Sequence, residues 1–160
     1  MAKVMSASLS TREEDYLRSI HEILERKGYA RIRDIANEVG VTPPSAVEMM
    51  RKLAQKGMVI YEKYGGVNLT PQGREIARVI SRRHETFIKF LEIILVPKEV
   101  ALKDAHILEH QLDPKTIKQF ARFVEFITGA SDHPRWVGRW IEMFKGYCEA
   151  IDKRTGEYST

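Results

Sequence analysis

RDIANEVGVTPPSAVEMMRKL, residues 33–53, is the stretch that decides the fold. Ala36 stands four residues before Gly40, and a small residue there lets two helices cross closely. Gly40 supplies the backbone angle of the tight turn between them. Thr42 then stands as an N-cap with Pro43 at the first helical position, where proline is tolerated. The helix continues through Ala46, Val47, Met50 and Leu53 to Gly57, with an apolar inner face and a polar start. A helix of this kind following a tight turn puts its first residues into the major groove of DNA. Thr42, Pro44, Ser45 and Glu48 are therefore the candidates to face bases, with Arg51 and Lys52 further along as candidates for phosphate.

Upstream, Ser10 and Glu13 form a capping box. The helix they open buries Tyr16, Leu17, Ile20, Ile23 and Leu24 on one face and stops at Gly28. A second helix runs from Ile32 to Val39. Downstream, residues 58–62 read as a strand, 64–66 as a turn and 67–69 as a returning strand, so the third helix is followed by a hairpin. Three helices and a hairpin in this order make a winged helix-turn-helix. Lys63 and Tyr64, at the wing tip, are candidates to reach the DNA backbone or minor groove. The bland alternative for the same order is a protein-interaction module.

The second half is helical. Thr70-Pro71 opens a long helix over about residues 71–95, with apolar positions at Ile76, Val79, Ile80, Phe87, Phe90, Leu91 and Ile94. Pro97 breaks it, and further helices follow over about 98–112, from Asp113-Pro114 to about 127, and over about 134–151. The last carries Trp136, Trp140, Phe144 and Tyr147 near helical spacing, more often a core or dimer interface than a binding site. The tail after Asp152 is expected to fray.

Within the helix over 98–112, His106, Glu109 and His110 follow the spacing H-x-x-E-H. Positions three and four apart share a helix face, so the three side chains can converge. Two imidazoles and a carboxylate suit a divalent transition metal, and further ligands must come from elsewhere. Asp15 and His84 are candidates if their helices pack against this one. Glu85 points about 100° away from His84 and is expected to face solvent; His21 and His133 have no clustered partners. H-x-x-E-H is also a zinc peptidase signature, with the glutamate as base. That reading leaves the DNA-reading half unexplained and has only two helices after His110 in which to build a cleft. A passive metal-binding protein is the other alternative.

Composition agrees with a regulator. Net charge is +4 and the sequence pI about 9.2, which permits nucleic acid without demanding it. One cysteine, Cys148, excludes an intramolecular disulfide, and no apolar run reaches the ~20 residues of a membrane span. The N-terminus lacks a signal-peptide core, so a cytoplasmic location is expected.

From Arg12 to Phe126 the chain resembles the diphtheria toxin repressor/manganese transport regulator family of metal-dependent transcriptional repressors. The resemblance rests on EDYLRSIHEI, KGYARIRDIANEVGVTPPSAVEMMRKL, IYEKYGGVNLTPQG, RRHETFIKFL and DAHILEHQL, in that order. It looks most like the short branch without an SH3-like domain. The resemblance implies a mostly α fold: a winged helix-turn-helix DNA-binding domain at 1–70, an all-helical metal-binding dimerisation domain at 71–152, and a flexible tail at 153–160. It implies metal ligands at Asp15, His84, His106, Glu109 and His110, a homodimer, and operator DNA as partner. Aspartate at position 15 goes with manganese-type members. Three positions depart from the pattern: Arg18 stands where those members have a glutamate, His106 where the trio usually begins with cysteine or glutamate, and Ile88 where a carboxylate follows the long-helix histidine. A cation cannot ligate, so one principal site per subunit is expected, with Mn²⁺ or Fe²⁺ ahead of Zn²⁺ or Co²⁺.

Overall fold

A computed structural model describes residues 9–62, 66–129 and 135–155. The chain divides into two compact units, Met1–Arg82 and Arg83–Thr160.

In the first unit, α1 (Thr11–Lys27) opens on the capping box read from the sequence: Ser10 Oγ accepts the Glu13 N–H, and Glu13 Oε2 accepts the Ser10 N–H at 2.8 Å. Glu13 and Glu14 in its first turn and Arg26 and Lys27 in its last complement the helix dipole. α2 (Ile32–Val39) ends at Gly40, whose φ of 73° turns the chain so that the Val41 N–H returns to the Ala36 carbonyl. α3 (Pro43–Gln55) follows. Thr42 occupies the N-cap, but its hydroxyl pairs with Ser45 Oγ at 3.0 Å instead of capping the backbone. Pro44 leaves only the Ser45 N–H for a cap, and the Thr42 oxygen engages the Ser45 hydroxyl instead.

β1 (Val59–Glu62) and β2 (Gly66–Leu69) pair antiparallel, Val59 opposite Leu69 and Glu62 opposite Gly66. Met58, read as the start of the strand, instead closes the end of α3, its N–H bonding the Leu53 carbonyl. The inner face of the hairpin, Val59, Val67 and Leu69, joins Leu17, Ile20, Ile23, Ile35, Met50 and Leu53 in one core. The start of α4 (Pro71–Ile93) adds Ile76, Ala77 and Ile80 to it.

The second unit holds the end of α4, then α5 (Lys98–Gln111), α6 (Pro114–Thr128) and α7 (Arg135–Thr155). Phe87 and Leu91 of α4 pack on Ala101 and Ala105 of α5, and Phe120 of α6 meets Phe90 edge-on with centroids 4.6 Å apart. Two alanines one turn apart leave room for close approach of the α4 helix. α4 ends two residues earlier than expected, and Leu95 leaves it with φ +68°. α7 runs past its expected end, keeping Asp152 helical. Lys153 and Arg154 favour its last turn, and Thr155 Oγ1 donates to the Ile151 carbonyl. On α7, Trp140 and Tyr147 are more than half exposed and Phe144 is half-buried, so these aromatics do not form a closed core among the described residues. Cys148 is a half-buried free thiol.

Candidate metal centre and DNA-reading face

Ala101, Ala105 and Glu109 fall four residues apart, and all three are buried. The stripe that brings α5 close to α4 through its alanines therefore carries the Glu109 carboxylate inside as well. Burying an ionised carboxylate is costly unless positive or polar partners meet it. Here three imidazoles do. Glu109 Oε2 lies 3.3 Å from His84 Nδ1, and Oε1 lies 3.3 Å from both His106 Nδ1 and His110 Nε2. His84 comes from α4 and is buried, His110 is largely buried, and the His106 side chain is 41% exposed. The His106 and His110 rings stand edge to face, 5.0 Å apart. One ligand atom from each of His106, Glu109 and His110 lies within 4.8 Å of the others.

Three imidazole nitrogens around a buried carboxylate are a donor set that fits a divalent first-row transition ion. Such an ion would satisfy at once the lone pairs that crowd this point. His84 thus meets Glu109 of the trio directly. Glu85 is exposed, as its 100° offset predicted, and Ile88 packs against the second core. Asp15 lies on α1 in the first unit, its carboxylate 3.7 Å from Arg18, which in turn lies 3.5 Å from Glu22. His21 is half-buried on the same helix, and His133 falls outside the described residues.

On α3, Ala46, Met50 and Leu53 turn inward while Thr42, Pro44, Ser45, Glu48, Arg51 and Lys52 are exposed. All six candidate DNA contacts on this helix therefore occupy its open face. Lys63 and Tyr64 at the wing tip lie outside the described residues. Sequence reasoning missed the second role of Glu13. Beyond its capping bond it is buried against Lys56, at the C-cap of α3, and Lys52 of α3, at 2.8 Å and 3.2 Å. Burial alone would raise its pKa, but the Lys56 hydrogen bond, the Ser10 N–H and Lys52 outweigh that and hold it at about 2. The capping box was its only signal in the sequence.

A winged helix-turn-helix followed by a helical unit with a metal-binding cluster defines a metal-responsive DNA-binding regulator. Comparison with known proteins identifies the lineage. Residues 8–67 match "Iron dependent repressor, N-terminal DNA binding domain", and residues 70–134 match "Iron dependent repressor, metal binding and dimerisation domain". The chain is 41% identical over 113 residues to the HTH-type transcriptional regulator MntR of Bacillus pumilus (strain SAFR-032), covering 71% of this chain and 78% of that one. It is 39% identical over 113 residues to the MntR of Geobacillus kaustophilus (strain HTA426), covering 71% and 80%. Among solved structures, T. acidophilum IdeR aligns with a TM-score of 0.63 at 29% identity, over 79% of this chain and 57% of that chain. The manganese regulator SloR aligns with a TM-score of 0.61 at 28% identity, over 71% and 53%. The chain belongs to the diphtheria toxin repressor/manganese transport regulator family, and is a metal-dependent DNA-binding transcriptional repressor that forms a homodimer. The family is one of transcriptional regulators, and the peptidase alternative is not favoured. No described helix is long and apolar enough to cross a membrane.

Proposed function

We propose that this protein represses manganese or iron uptake genes in the cytoplasm, without enzymatic turnover, and that Mn²⁺ or Fe²⁺ raises its operator affinity. The observation that carries this reading is the buried Glu109 carboxylate with His84, His106 and His110 each 3.3 Å away. These four residues are the proposed ligands from the helical unit, and Asp15 of α1 is the proposed ligand from the DNA-reading unit. Support for Asp15 is the family match of EDYLRSIHEI and the two MntR relatives. Related solved structures hold manganese, zinc and cadmium, which agrees with a nitrogen- and oxygen-rich site of broad divalent affinity.

Bound, the cation supplies positive charge and directional coordination bonds. The residues do the rest. Glu109 places a buried carboxylate among three imidazoles, a donor set that a cation can join. His84 and Glu109 tie α4 to α5. Asp15, on the helix that packs under α3, makes the position of the reader part of the metal equilibrium. A metal that prefers the DNA-competent arrangement must raise DNA affinity, and DNA must raise metal affinity by the same factor. On the reading helix, Thr42, Pro44, Ser45 and Glu48 face bases and Arg51 faces phosphate, with Lys52 as the further phosphate candidate and Lys63 and Tyr64 at the wing.

The test is binding to DNA upstream of its own gene and of neighbouring transporter genes. Chelator is compared with Mn²⁺, anaerobic Fe²⁺ and Zn²⁺ at fixed salt. Binding that appears with Mn²⁺ or Fe²⁺ supports the reading. Binding indifferent to metal rejects it.

A further inference from the structure

Glu13 is a buried charge that neither the metal centre nor the base-facing residues use. Its side chain is 1% exposed, yet both of its oxygens meet positive charge. Oε2 accepts the Ser10 N–H at 2.8 Å and the Lys56 ammonium at 2.9 Å, and Oε1 lies 2.8 Å from Lys56 Nζ and 3.2 Å from Lys52 Nζ. Lys56, which caps the end of α3, lies one turn after Lys52, so one carboxylate spans both. The outer side of Lys52 remains open, its side chain 55% exposed. It borders a cleft of about 270 Å³ that Ser45 and Glu48 of α3 and Arg12 of α1 also line. Lys52 thus stands beside the base-facing candidates, with its ammonium already engaged from behind.

We infer that Glu13 is a positioning residue that holds Lys52 back from the DNA backbone and so lowers the protein's sequence-independent affinity for duplex. The inference rests on α3 being the DNA-reading helix. Phosphate contacts add affinity to every sequence equally, whereas base contacts discriminate. An ammonium that moves to a phosphate must leave Glu13, which then keeps Lys56 and the Ser10 N–H but loses one of the two cations that offset its burial. Lys52 therefore gains little from a phosphate while Glu13 is ionised. Removing one non-specific cation per subunit leaves more of the binding to Ser45 and Glu48 and widens the gap between operator and bulk DNA.

The experiment uses the full chain with chelator and a non-operator duplex, titrated over a salt series. Wild type is compared with Glu13→Gln, Lys52→Ala and the double variant. Glutamine keeps the capping box while removing the charge. Glu13→Gln should steepen the slope of log K against log salt by about 0.9 per subunit, the effect of one added phosphate contact. The double variant should return to the wild-type slope. Lys52→Ala alone, at an exposed position, should leave the slope unchanged. A wild-type slope in a folded Glu13→Gln protein overturns the inference, as does a double variant as steep as Glu13→Gln. Should Glu13→Gln fail to fold, Lys52→Ala decides: a slope shallower by about 0.9 per subunit means Lys52 already meets phosphate and the inference is wrong. Wild type that binds no duplex at low salt, with or without metal, overturns the DNA-reading assignment itself, whereas unchanged slopes overturn only the role of Glu13.

Discussion

His84 Nδ1 lies 3.3 Å from Glu109 Oε2, so a buried imidazole on α4 meets a buried carboxylate on α5. The other oxygen of the same carboxylate faces His106 and His110. Glu109 is therefore the hub of the cluster: each histidine reaches it. A buried carboxylate met by three imidazoles is a donor set suited to a divalent cation.

Glu109→Gln removes that charge and keeps the shape. In wild type a ligand that binds only the folded state stabilises by mass action, about 2.7 kcal/mol at a hundred times its Kd. Mn²⁺ should accordingly raise Tm in wild type by several degrees and leave the variant unmoved. The metal-free variant should melt close to the metal-free wild type, because glutamine keeps the shape and a polar partner for the imidazoles. Thermal melts with chelator and with Mn²⁺ read both effects. An undiminished metal-induced rise in the variant would remove Glu109 from the ligand set.

His106 and Asp15 separate binding from coupling. The His106 side chain is 41% exposed, so His106→Ala should cost the fold no more than about 0.5 kcal/mol while abolishing metal-dependent DNA binding. Asp15→Ala should leave metal bound to the helical unit but cut the metal-induced gain in DNA affinity about tenfold, roughly 1.4 kcal/mol of coupling. Calorimetric metal titration, DNA-binding anisotropy and gel filtration read the three quantities. Equal loss of metal binding in both variants would contradict the division of labour, and a monomeric Asp15→Ala would assign that residue to assembly.

Glu13 makes stability depend on pH in a definite direction. Its pKa falls from 4.5 to about 2 on folding, so the folded state holds its proton less tightly than the unfolded chain. The stabilisation is complete above about pH 4.5 and disappears as pH falls toward 2, amounting to a few kcal/mol at most. Urea unfolding at pH 7, 5 and 3 should show wild type losing more than Glu13→Gln over the lower interval. Parallel losses would show that the Lys52 and Lys56 contacts do not persist in solution.

Much of this is legible in the sequence because it is local. Caps at Ser10 and Gly28, the turn at Gly40 and the one-face spacing of His106, Glu109 and His110 all depend on residues within four positions of one another. The contact of His84 with Glu109 is not local. It depends on how closely α4 approaches α5, which Ala101 and Ala105 decide through packing, and only the resemblance pointed to it. Glu13 illustrates the same limit. Its bond to Ser10 spans three residues and is readable, whereas its bond to Lys56 spans 43 and is not. Thr42 shows a local rule yielding to a neighbour, since its hydroxyl pairs with that of Ser45 and not with a backbone N–H.

Gly73 carries a constraint that its place in a helix start conceals. Thr70 Oγ1 accepts the Gly73 N–H at 3.0 Å and donates to the Gly57 carbonyl, drawing the first turn of α4 against the end of α3. A Cβ on Gly73 would collide with the backbone carbonyl of Met58, which cannot swing aside as a side chain can. Gly73→Ala should therefore destabilise the first unit by about 1–3 kcal/mol, although alanine is the better helix former. Urea unfolding measures this, and a variant as stable as wild type would show that the two backbones do not approach so closely.

Leu95 offers the opposite case. It ends α4 with φ +68°, and the Leu95 and Val96 N–H groups return to the carbonyls of Glu92 and Leu91. This is the helix stop that normally places glycine at the left-handed position. A side chain there costs roughly 1–2 kcal/mol, and Leu95, 40% exposed, recovers little of that by burial. The Val96 contact that accompanies such a stop lies one residue on, in the second core with Leu91, and does not need the Leu95 side chain. Leu95→Gly should then stabilise the protein by about 1 kcal/mol after the added flexibility of the unfolded chain is subtracted. A lower Tm in Leu95→Gly would mean that the leucine side chain is buried in the folded dimer, and a hydrophobic-to-polar change at the same position would then weaken self-association on gel filtration.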